Sequence, residues 1–250
     1  LTGWSGLTNW SVLARFSISL PRSPIDAPSL PHHQTAHVAP QSTFTTAPRG
    51  KPTPTPNRAH IASWADCEAL VRRTLDRFGR VDALINNAGV FEPFTLGGLK
   101  PEQVKTLADI NLCGPIYVAH AALPLLRGGG HIINVTSESV PLKMPMLWMY
   151  AGTKTALEFI SEMWMRELEP EGVRVTVARC GQMMDETKTG SNWPPEVSMQ
   201  FGMENSKVGI NLRERGISHY NSVTDGFRAI LDSPADVHMN MVWMSGRPRT

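Results

Sequence analysis

The chain has 250 residues, 41% of them hydrophobic, and a formal net charge of +2. A single domain of this length buries an ample apolar core, and the nearly balanced charge gives no reason to expect a nucleic-acid partner. The sequence contains no apolar run of about eighteen residues, so we expect no membrane-spanning helix and no membrane partner.

The cysteine and histidine residues indicate the redox compartment of the protein and whether it binds a metal. The three cysteines, Cys67, Cys113 and Cys180, are odd in number and widely spaced. This favours a reducing compartment, and we expect a cytoplasmic protein. The eight histidines show no spacing typical of metal ligands, so no metal site is predicted.

Residues 1–60 are an irregular, proline-rich segment, which we separate from a domain over residues 61–250. Nine of the chain's twenty prolines lie within residues 21–56, and such a stretch does not form alternating strands and helices. Residues 10–20 alternate apolar and polar side chains. This period predicts a strand that could cover an otherwise open sheet edge.

From residue 61 onwards the chain alternates helix and strand. Ser63 and Asp66 mark the start of a first helix and Gly79 marks its end. The further predicted elements are a strand over 81–86, helices on either side of Asn111 within 102–126, a strand over 131–136, a helix over 150–169, a strand over 173–179, a helix from the Ser222–Asp225 start to residue 231, and a strand over 237–243. This alternation predicts an α/β fold with a doubly wound, Rossmann-type parallel sheet whose N-terminal strands are incomplete or replaced.

The strand over 81–86 runs into small and amide residues, namely Asn86, Asn87, Ala88 and Gly89. Ligands of parallel sheets bind beyond the carboxyl ends of the strands, where small residues allow close approach to the backbone. The sequence therefore predicts a ligand-binding edge here.

Ser137 follows the second predicted strand and lies thirteen residues before Tyr150. A serine at a strand end, followed by a loop and a helix, can point its hydroxyl at the same spot as the phenol. Upstream, Asn111 lies inside a long helical stretch. Because asparagine is a poor helix former, it predicts a break between two helices.

Tyr150 and Lys154 are four residues apart on a predicted helix, so both side chains lie on one face. A fixed ammonium beside a phenol favours the phenolate, and we expect the pKa of Tyr150 to fall from about 10 towards neutrality. Such a phenol can donate or accept a proton at a carbonyl or alcohol oxygen. Taken alone, the pair also fits a surface lysine one turn beyond a half-buried tyrosine.

Several motifs in this order and spacing resemble the short-chain dehydrogenase/reductase family: residues 86–89, Asn111, Ser137, Tyr150, Lys154, and the stretches 78–89 and 172–179. The resemblance extends over about residues 61–250. It implies a dinucleotide-binding fold and hydride transfer between a nicotinamide cofactor and a carbonyl/alcohol pair.

The resemblance implies a role for each motif residue. Tyr150 would be the acid/base at the reacting oxygen, and Lys154 would lower its pKa and bind the nicotinamide ribose. Ser137 would hold the carbonyl oxygen, and Asn111 would hold a water that connects Lys154 to solvent. The residues expected to line the cofactor are Asn86, Asn87, Ala88, Gly89, Tyr150, Lys154, Gly181 and Met183.

Beyond the strand that ends at Arg179, the family usually has Pro-Gly, whereas this chain has Cys180 and Gly181. Loss of the proline loosens a turn that shapes the nicotinamide pocket, while Gly181 keeps the close backbone approach. We interpret Cys180 as a small turn residue because no base is evident beside it. Residues 182–221 match the family's variable substrate lid, and their Met and Trp content favours an apolar ketone or alcohol.

The first residues depart from the family pattern. The family opens with a Thr-Gly-x-x-x-Gly-x-Gly turn that approaches the cofactor pyrophosphate. In the nearest match, residues 2–8, the second glycine comes one residue early and Thr8 replaces the third. Three explanations are open: a transit peptide, a disordered extension, and a fragment or misread gene. We favour the third, because the segment has about the length of the missing half-domain but the wrong content, and begins at Leu1.

The expected function is that of an oxidoreductase which transfers a hydride between NAD or NADP and a small-molecule carbonyl or secondary alcohol, with Tyr150 as acid/base. No preference between NAD and NADP is predicted. The alternative is a non-catalytic family remnant or fragment that cannot bind the dinucleotide, since the missing glycine turn argues against activity. The resemblance also implies a homodimer or homotetramer through the long helices, 102–126 and 150–169.

Overall fold

The computed structural model of the chain describes residues 60–184 and 193–248. The predictions for the glycine turn at residues 2–8, the strand at residues 10–20 and the proline-rich segment lie outside the described residues. Part of the predicted substrate lid also lies outside them.

Helices and strands alternate along the described residues, as the sequence predicts. The helices are α1 (Trp64–Phe78), α2 (Pro101–Ala108), α3 (Gly114–Leu126), α4 (Ser139–Leu142), α5 (Trp148–Leu168), α6 (Pro195–Lys207) and α7 (Tyr220–Leu231). The strands are β1 (Ala83–Asn86), β2 (His131–Ser137), β3 (Arg174–Cys180), β4 (Met183–Met184), β5 (Ser218–His219) and β6 (Met241–Met244). Among these described helices, none is both long and apolar enough to cross a membrane.

The main sheet is parallel and has the strand order β1-β2-β3-β6. Its register sets Asn86 beside Asn134 and Ser137 beside Cys180, so the carboxyl ends of the strands meet at one edge. Strands β4 and β5 form a separate two-stranded parallel sheet just beyond that edge. The predicted α/β fold with a parallel sheet is confirmed.

Helices cover both faces of the main sheet, which is what makes the fold doubly wound. On one face α1, α3 and α5 pack over buried residues that include Leu84, Ile132 and Val175. On the other face α7 packs over Ile133 and Ala178. Since successive strand residues point to opposite faces, a strand buried on both sides must be apolar throughout, which explains the long β-branched runs of β2 and β3.

Local signals at the ends of α1 and α7 had different outcomes. The predicted start of α1 is confirmed, because the Ser63 hydroxyl accepts a hydrogen bond from the Asp66 amide, and Gly79 ends the helix in a left-handed conformation. The predicted start of α7 at Ser222 is wrong. The helix begins two residues earlier, where the ring nitrogen of His219 accepts a hydrogen bond from the Asn221 amide.

Candidate active site

Asn86 ends β1 at the carboxyl edge of the sheet, but its side chain turns into the fold. Its Nδ2 donates to Asn134 Oδ1 at 2.8 Å and to the carbonyl oxygen of Pro115 at 3.3 Å. Asn134 Nδ2 in turn donates to Ser161 Oγ on α5. Asn86 is buried, so this residue ties β1, β2 and α5 together from below the edge.

The next three residues, Asn87, Ala88 and Gly89, carry the chain out of the sheet. Asn87 is exposed, and the other two are half-buried. A Cβ atom at Gly89 would lie 3.2 Å from Asn111 Oδ1 and 3.6 Å from Lys154 Nζ. The absence of a side chain at Gly89 therefore lets the backbone approach both predicted site residues closely.

Asn111 lies in a π-helical turn, Asp109–Cys113, that joins α2 to α3. The predicted helices on either side of Asn111 are present as α2 and α3, and the break between them is this wider turn, through which the helical path continues. The Asn111 side chain is fully buried, and it accepts from the Val90 amide and donates to the Val90 carbonyl, both at 2.8 Å. A second hydrogen bond of its Nδ2, at 3.3 Å, reaches Thr153 Oγ1 on α5. Such π turns occur often at functional sites.

Ser137 is the last residue of β2, and its hydroxyl accepts a hydrogen bond from the Ser139 amide at 3.1 Å. A hydrogen bond between Ser137 and Tyr150 also favours the ionised phenol. The loop between them contains two residues in a left-handed conformation, Lys143 and Met146. Non-glycine residues adopt this conformation at some cost, so the loop is held in a specific shape that brings the two hydroxyls together.

Tyr150 lies in the first turn of α5, with its side chain half-buried. Burial raises the pKa of Tyr150 to about 12, and this effect outweighs the opposing hydrogen bond from Ser137. The expectation that Lys154 lowers this pKa towards neutrality is wrong for this structure. Burial removes water that would stabilise the ionised phenol. The amine of Lys154, at 6.0 Å from the ring centroid, does not restore this lost stabilisation.

Lys154 lies one turn further along α5 and is buried. Its Nζ donates to the carbonyl oxygen of Val135 at 2.8 Å. Burial lowers the pKa of Lys154 to about 8, although nearby Cys180 opposes this shift. The side chain therefore reaches from α5 to β2, two residues before Ser137, and carries a charge that titrates just above neutral pH.

Gly181 and Met183 lie beyond β3, on the side of the edge opposite β1. A Cβ atom at Gly181 would lie 2.8 Å from Glu138 Oε2, so only glycine fits this turn. Met183 belongs to the small sheet and packs near Cys180. Burial raises the pKa of the Cys180 thiol to about 12, which disfavours the thiolate that a nucleophile needs. The interpretation of Cys180 as a turn residue is wrong, since it is the buried last residue of β3.

An aromatic cluster covers Tyr150. The Phe91 ring centroid lies 5.7 Å from that of Tyr150 and 5.2 Å from that of Trp193, which in turn packs against Phe201 of α6. Met144, Met146 and Leu147 complete this cluster. Sequence reasoning placed Trp193 and the methionines in the substrate region but missed Phe91, whose position just after the residues 86–89 was the available signal.

Glu138 and Arg215 were also missed. Glu138 follows Ser137 directly, and its Oε2 lies 2.5 Å from a guanidinium nitrogen of Arg215. Both side chains are largely buried. No motif marks such a pair in the sequence, because 77 positions separate the two residues.

The structure thus brings Asn111, Ser137, Tyr150, Lys154 and Gly89 to one edge of the sheet. This arrangement offers a half-buried phenol, a serine hydroxyl whose hydrogen bonding favours the ionised phenol, and a lysine amine nearby. Such groups can hold an oxygen atom and transfer a proton to or from it. Asn86 is separated from them by its side-chain contacts inside the fold.

Comparisons with known proteins show the family to which the chain is related. The sequence model of the short chain dehydrogenase family matches residues 48–196, more than half of the chain. An uncharacterised oxidoreductase of Methylorubrum extorquens is 34% identical over 129 residues, which cover 52% of this chain and 52% of that protein. The 11-beta-hydroxysteroid dehydrogenase-like 4A protein of Arabidopsis thaliana is 32% identical over 168 residues, covering 64% of this chain and 56% of that protein. The chain spans about half the length of these curated relatives.

Among solved structures, the alcohol dehydrogenase from the archaeon Thermococcus sibiricus, complexed with 5-hydroxy-NADP, is similar with a TM-score of 0.61. It is 22% identical, and the match covers 77% of this chain and 75% of that chain. At this identity the likeness shows the fold. The family match over more than half of the sequence shows the descent, and this chain belongs to the short-chain dehydrogenase family.

Proposed function

We propose that this protein is an oxidoreductase which transfers a hydride between a nicotinamide cofactor and a carbonyl or secondary alcohol, with Tyr150 as the acid/base. The observation that supports this most is the placement of Ser137, which lowers the pKa of Tyr150, and of the buried amine of Lys154 beside the Tyr150 phenol. The proposal also rests on membership of the short-chain dehydrogenase family.

The proton chemistry follows from the environment of Tyr150. With its pKa raised to about 12 by burial, the phenol is protonated at neutral pH and is ready to donate to a carbonyl oxygen. Ser137 donates a second hydrogen bond to the same oxygen and stabilises the negative charge that develops there. In the opposite direction the same residue would accept the proton from the alcohol.

The carboxyl edge of the sheet fits the nicotinamide ribose of a dinucleotide. Side chains would intrude on the edge at Gly89 and Gly181, and Lys154 Nζ lies 3.6 Å from where a Cβ atom of Gly89 would be. Lys154 would hydrogen-bond the ribose, while Asn87, Ala88 and Met183 would line its surroundings. When bound, the cofactor supplies or takes up the hydride. The proposed cofactor is NAD or NADP.

The substrate that this site suits is apolar. Phe91, Trp193 and Phe201 form a continuous aromatic wall that reaches the Tyr150 ring. Such a wall excludes water and favours apolar groups next to the reacting oxygen. We therefore propose an apolar ketone or secondary alcohol as the substrate class.

We propose that the protein assembles as a homodimer or homotetramer through α3 and α5. On α5, Phe159 is 65% exposed and Met163, one turn later, is 53% exposed. Two large apolar side chains on one outward helical face favour a partner. Sedimentation of the Phe159→Glu variant tests this, since a charge on the face would dissociate the oligomer.

All three cysteines are free thiols, which supports the proposal of a reducing, cytoplasmic environment.

The functional test is turnover. Purified chain is incubated with NADH or NADPH and a panel of apolar ketones, and nicotinamide oxidation is followed for wild type and Tyr150→Phe. Ketone-dependent oxidation that requires Tyr150 supports the proposal. A folded chain that binds neither cofactor would instead favour the alternative, a non-catalytic member of the family.

A further inference from the structure

The backbone turn that follows β3 is clamped from two sides. The amide of Gln182 donates to Glu138 Oε1 at 3.0 Å, and the carbonyl of Gln182 accepts from the Ser218 amide at 3.0 Å. The amide of Glu138 itself donates to the Cys180 carbonyl at 2.9 Å. Glu138 therefore holds both ends of the turn over residues 180–182, once through its backbone and once through its carboxylate.

Arg215 completes the clamp. Its guanidinium pairs with the other carboxylate oxygen of Glu138, at 2.5 Å, and both side chains are largely buried. The next residue, Gly216, forms a β-bridge with Gly246, where a Cβ atom would lie 2.2 Å from the Gly246 carbonyl oxygen. Arg215 is thus fixed by close backbone packing and does not swing freely towards solvent.

The clamp connects three parts of the candidate active site. Glu138 follows Ser137, the turn leads to Met183, and Arg215 lies on the segment between α6 and β5. A carboxylate that accepts hydrogen bonds from a backbone amide and a guanidinium in a buried site is strongly oriented. Its position fixes the backbone of residues 180–182 relative to Ser137.

The charge of Glu138 also reaches the phenol. The titratable groups acting on Tyr150 are Glu138 and Cys180, with Lys154 at 6.0 Å from the ring centroid and the Ser137 hydroxyl as hydrogen-bond partner. Glu138 raises the pKa of Tyr150, after the larger effect of burial. Arg215 pairs with the Glu138 carboxylate and compensates part of this negative charge.

We propose that Glu138 is a positioning residue of this active site, and that its ion pair with Arg215 both fixes the turn over residues 180–182 and sets the electrostatic field at Tyr150. The assignment to an active site rests on the proposed oxidoreductase function. The effects of the ion pair on the turn and on Tyr150 do not depend on that function, because they can be measured in the cofactor-free protein.

The test uses the full chain with Tyr117→Phe and Tyr220→Phe, so that Tyr150 is the single tyrosine of the three. Ionisation of Tyr150 is followed by the ultraviolet absorbance of tyrosinate, and circular dichroism checks the fold at each pH. Glu138→Gln should lower the midpoint, because a negative charge is removed. Arg215→Met should raise it, because the carboxylate loses its compensating charge. A merely structural role would move both midpoints in the same direction, and that result overturns the proposal.

Amide hydrogen exchange at Gln182 provides a second readout at neutral pH. It tests the proposal even if Tyr150 of a variant ionises only when the protein unfolds at high pH. Glu138→Gln and Arg215→Met should both accelerate exchange of this amide at least tenfold, while Glu138→Asp, which keeps the charge, retains part of the protection. Unchanged exchange in both variants contradicts the clamp. Neither readout needs cofactor or turnover, so failure of the proposed enzymatic function would be seen separately, in the Tyr150→Phe assay.

Discussion

The ammonium group of Lys154 donates a hydrogen bond of 2.8 Å to the carbonyl oxygen of Val135, two residues before Ser137. This bond joins α5 to β2 at the point where the two predicted proton-transfer residues meet. It also explains why the lysine does not dominate the ionisation of Tyr150. Nζ lies 6.0 Å from the centroid of the phenol ring and donates its hydrogen bond to the strand.

Lys154→Met should stabilise the fold at pH 7. Burial lowers the pKa of Lys154 from 10.5 to about 8. Below pH 8 the folded chain therefore bears the full cost of a buried ammonium, and stability rises with pH between about 8 and 10.5, where the unfolded chain binds more protons. The lowered pKa corresponds to a cost of roughly 3 kcal/mol for burying the charged amine. The variant removes this cost but also loses the hydrogen bond to Val135, so we expect the free energy of unfolding to rise by about 1–2 kcal/mol.

Urea denaturation at pH 7 and pH 10 measures this gain, which should shrink at the higher pH. The control is Lys105→Met, since Lys105 is an exposed lysine on α2. A Lys154→Met variant that is less stable than wild type at pH 7 would contradict this prediction. It would show that the buried amine stabilises the fold.

Tyr150→Phe should reduce the turnover of ketones by at least about a hundredfold, the usual contribution of a positioned general acid. Binding of the cofactor should change little, because the ring and its contact with Phe91 remain. Steady-state rates and a fluorescence titration on the same preparation separate the two effects. The matched control is Tyr117→Phe, and equal rates in all three proteins would remove Tyr150 from the chemistry.

The stability of the protein should fall in mild acid because of His131. This residue is buried, with Nε2 2.8 Å from Thr176 Oγ1, and burial is the main cause that lowers its pKa to about 4. Below about pH 6.5, His131 is protonated in the unfolded chain but stays neutral in the folded chain until the pH approaches 4. The contribution of His131 is therefore complete above pH 6.5 and is lost as the pH falls to 4, by roughly 3 kcal/mol.

His131→Gln should flatten this part of the profile, measured by thermal unfolding between pH 4 and 7. Carboxylates also titrate in this range, so the relevant quantity is the difference between variant and wild type. The exposed His120 provides the control through His120→Gln. A variant whose profile parallels that of wild type would show that His131 is not the responsible group.

Glu158 on α5 and Arg179 on β3 form the best-buried ion pair among the described residues, with side chains 8% and 14% exposed. Thr136 also donates to Glu158 at 2.7 Å. Because Arg179→Met leaves a buried carboxylate without its partner, it should cost about 3–5 kcal/mol. The double variant with Glu158→Met should recover much of this loss. The exposed Arg228 provides the control, since Arg228→Met should cost less than about 1 kcal/mol.

Much of the fold could be predicted from the sequence because its signals are local. The β-branched runs of β2 and β3 and the caps of α1 each depend on a few neighbouring residues. The spacing of Tyr150 and Lys154 likewise places both on one face of α5. The π-helical turn at Asn111 was missed, because its stability comes from hydrogen bonds to Val90 and Thr153, which are distant in the sequence.

The pKa of Tyr150 shows a second limit of sequence reasoning. The spacing to Lys154 predicted proximity, but not how far burial by the surrounding fold would outweigh it. The same holds for Glu138, whose neighbour Ser137 was recognised while its pairing with Arg215 depends on the path of the chain after α6. Charges that act across the fold require the three-dimensional structure.

Cofactor binding tests the central claim most directly. The purified chain, shown to be folded by circular dichroism, is titrated into NADH and NADPH while nicotinamide fluorescence is followed. We expect a saturable change with at least one of the two, which Lys154→Met weakens and Lys105→Met leaves unchanged. A folded chain that gives no saturable change with either cofactor would contradict the proposed oxidoreductase function and identify the site as a catalytic arrangement without its cofactor.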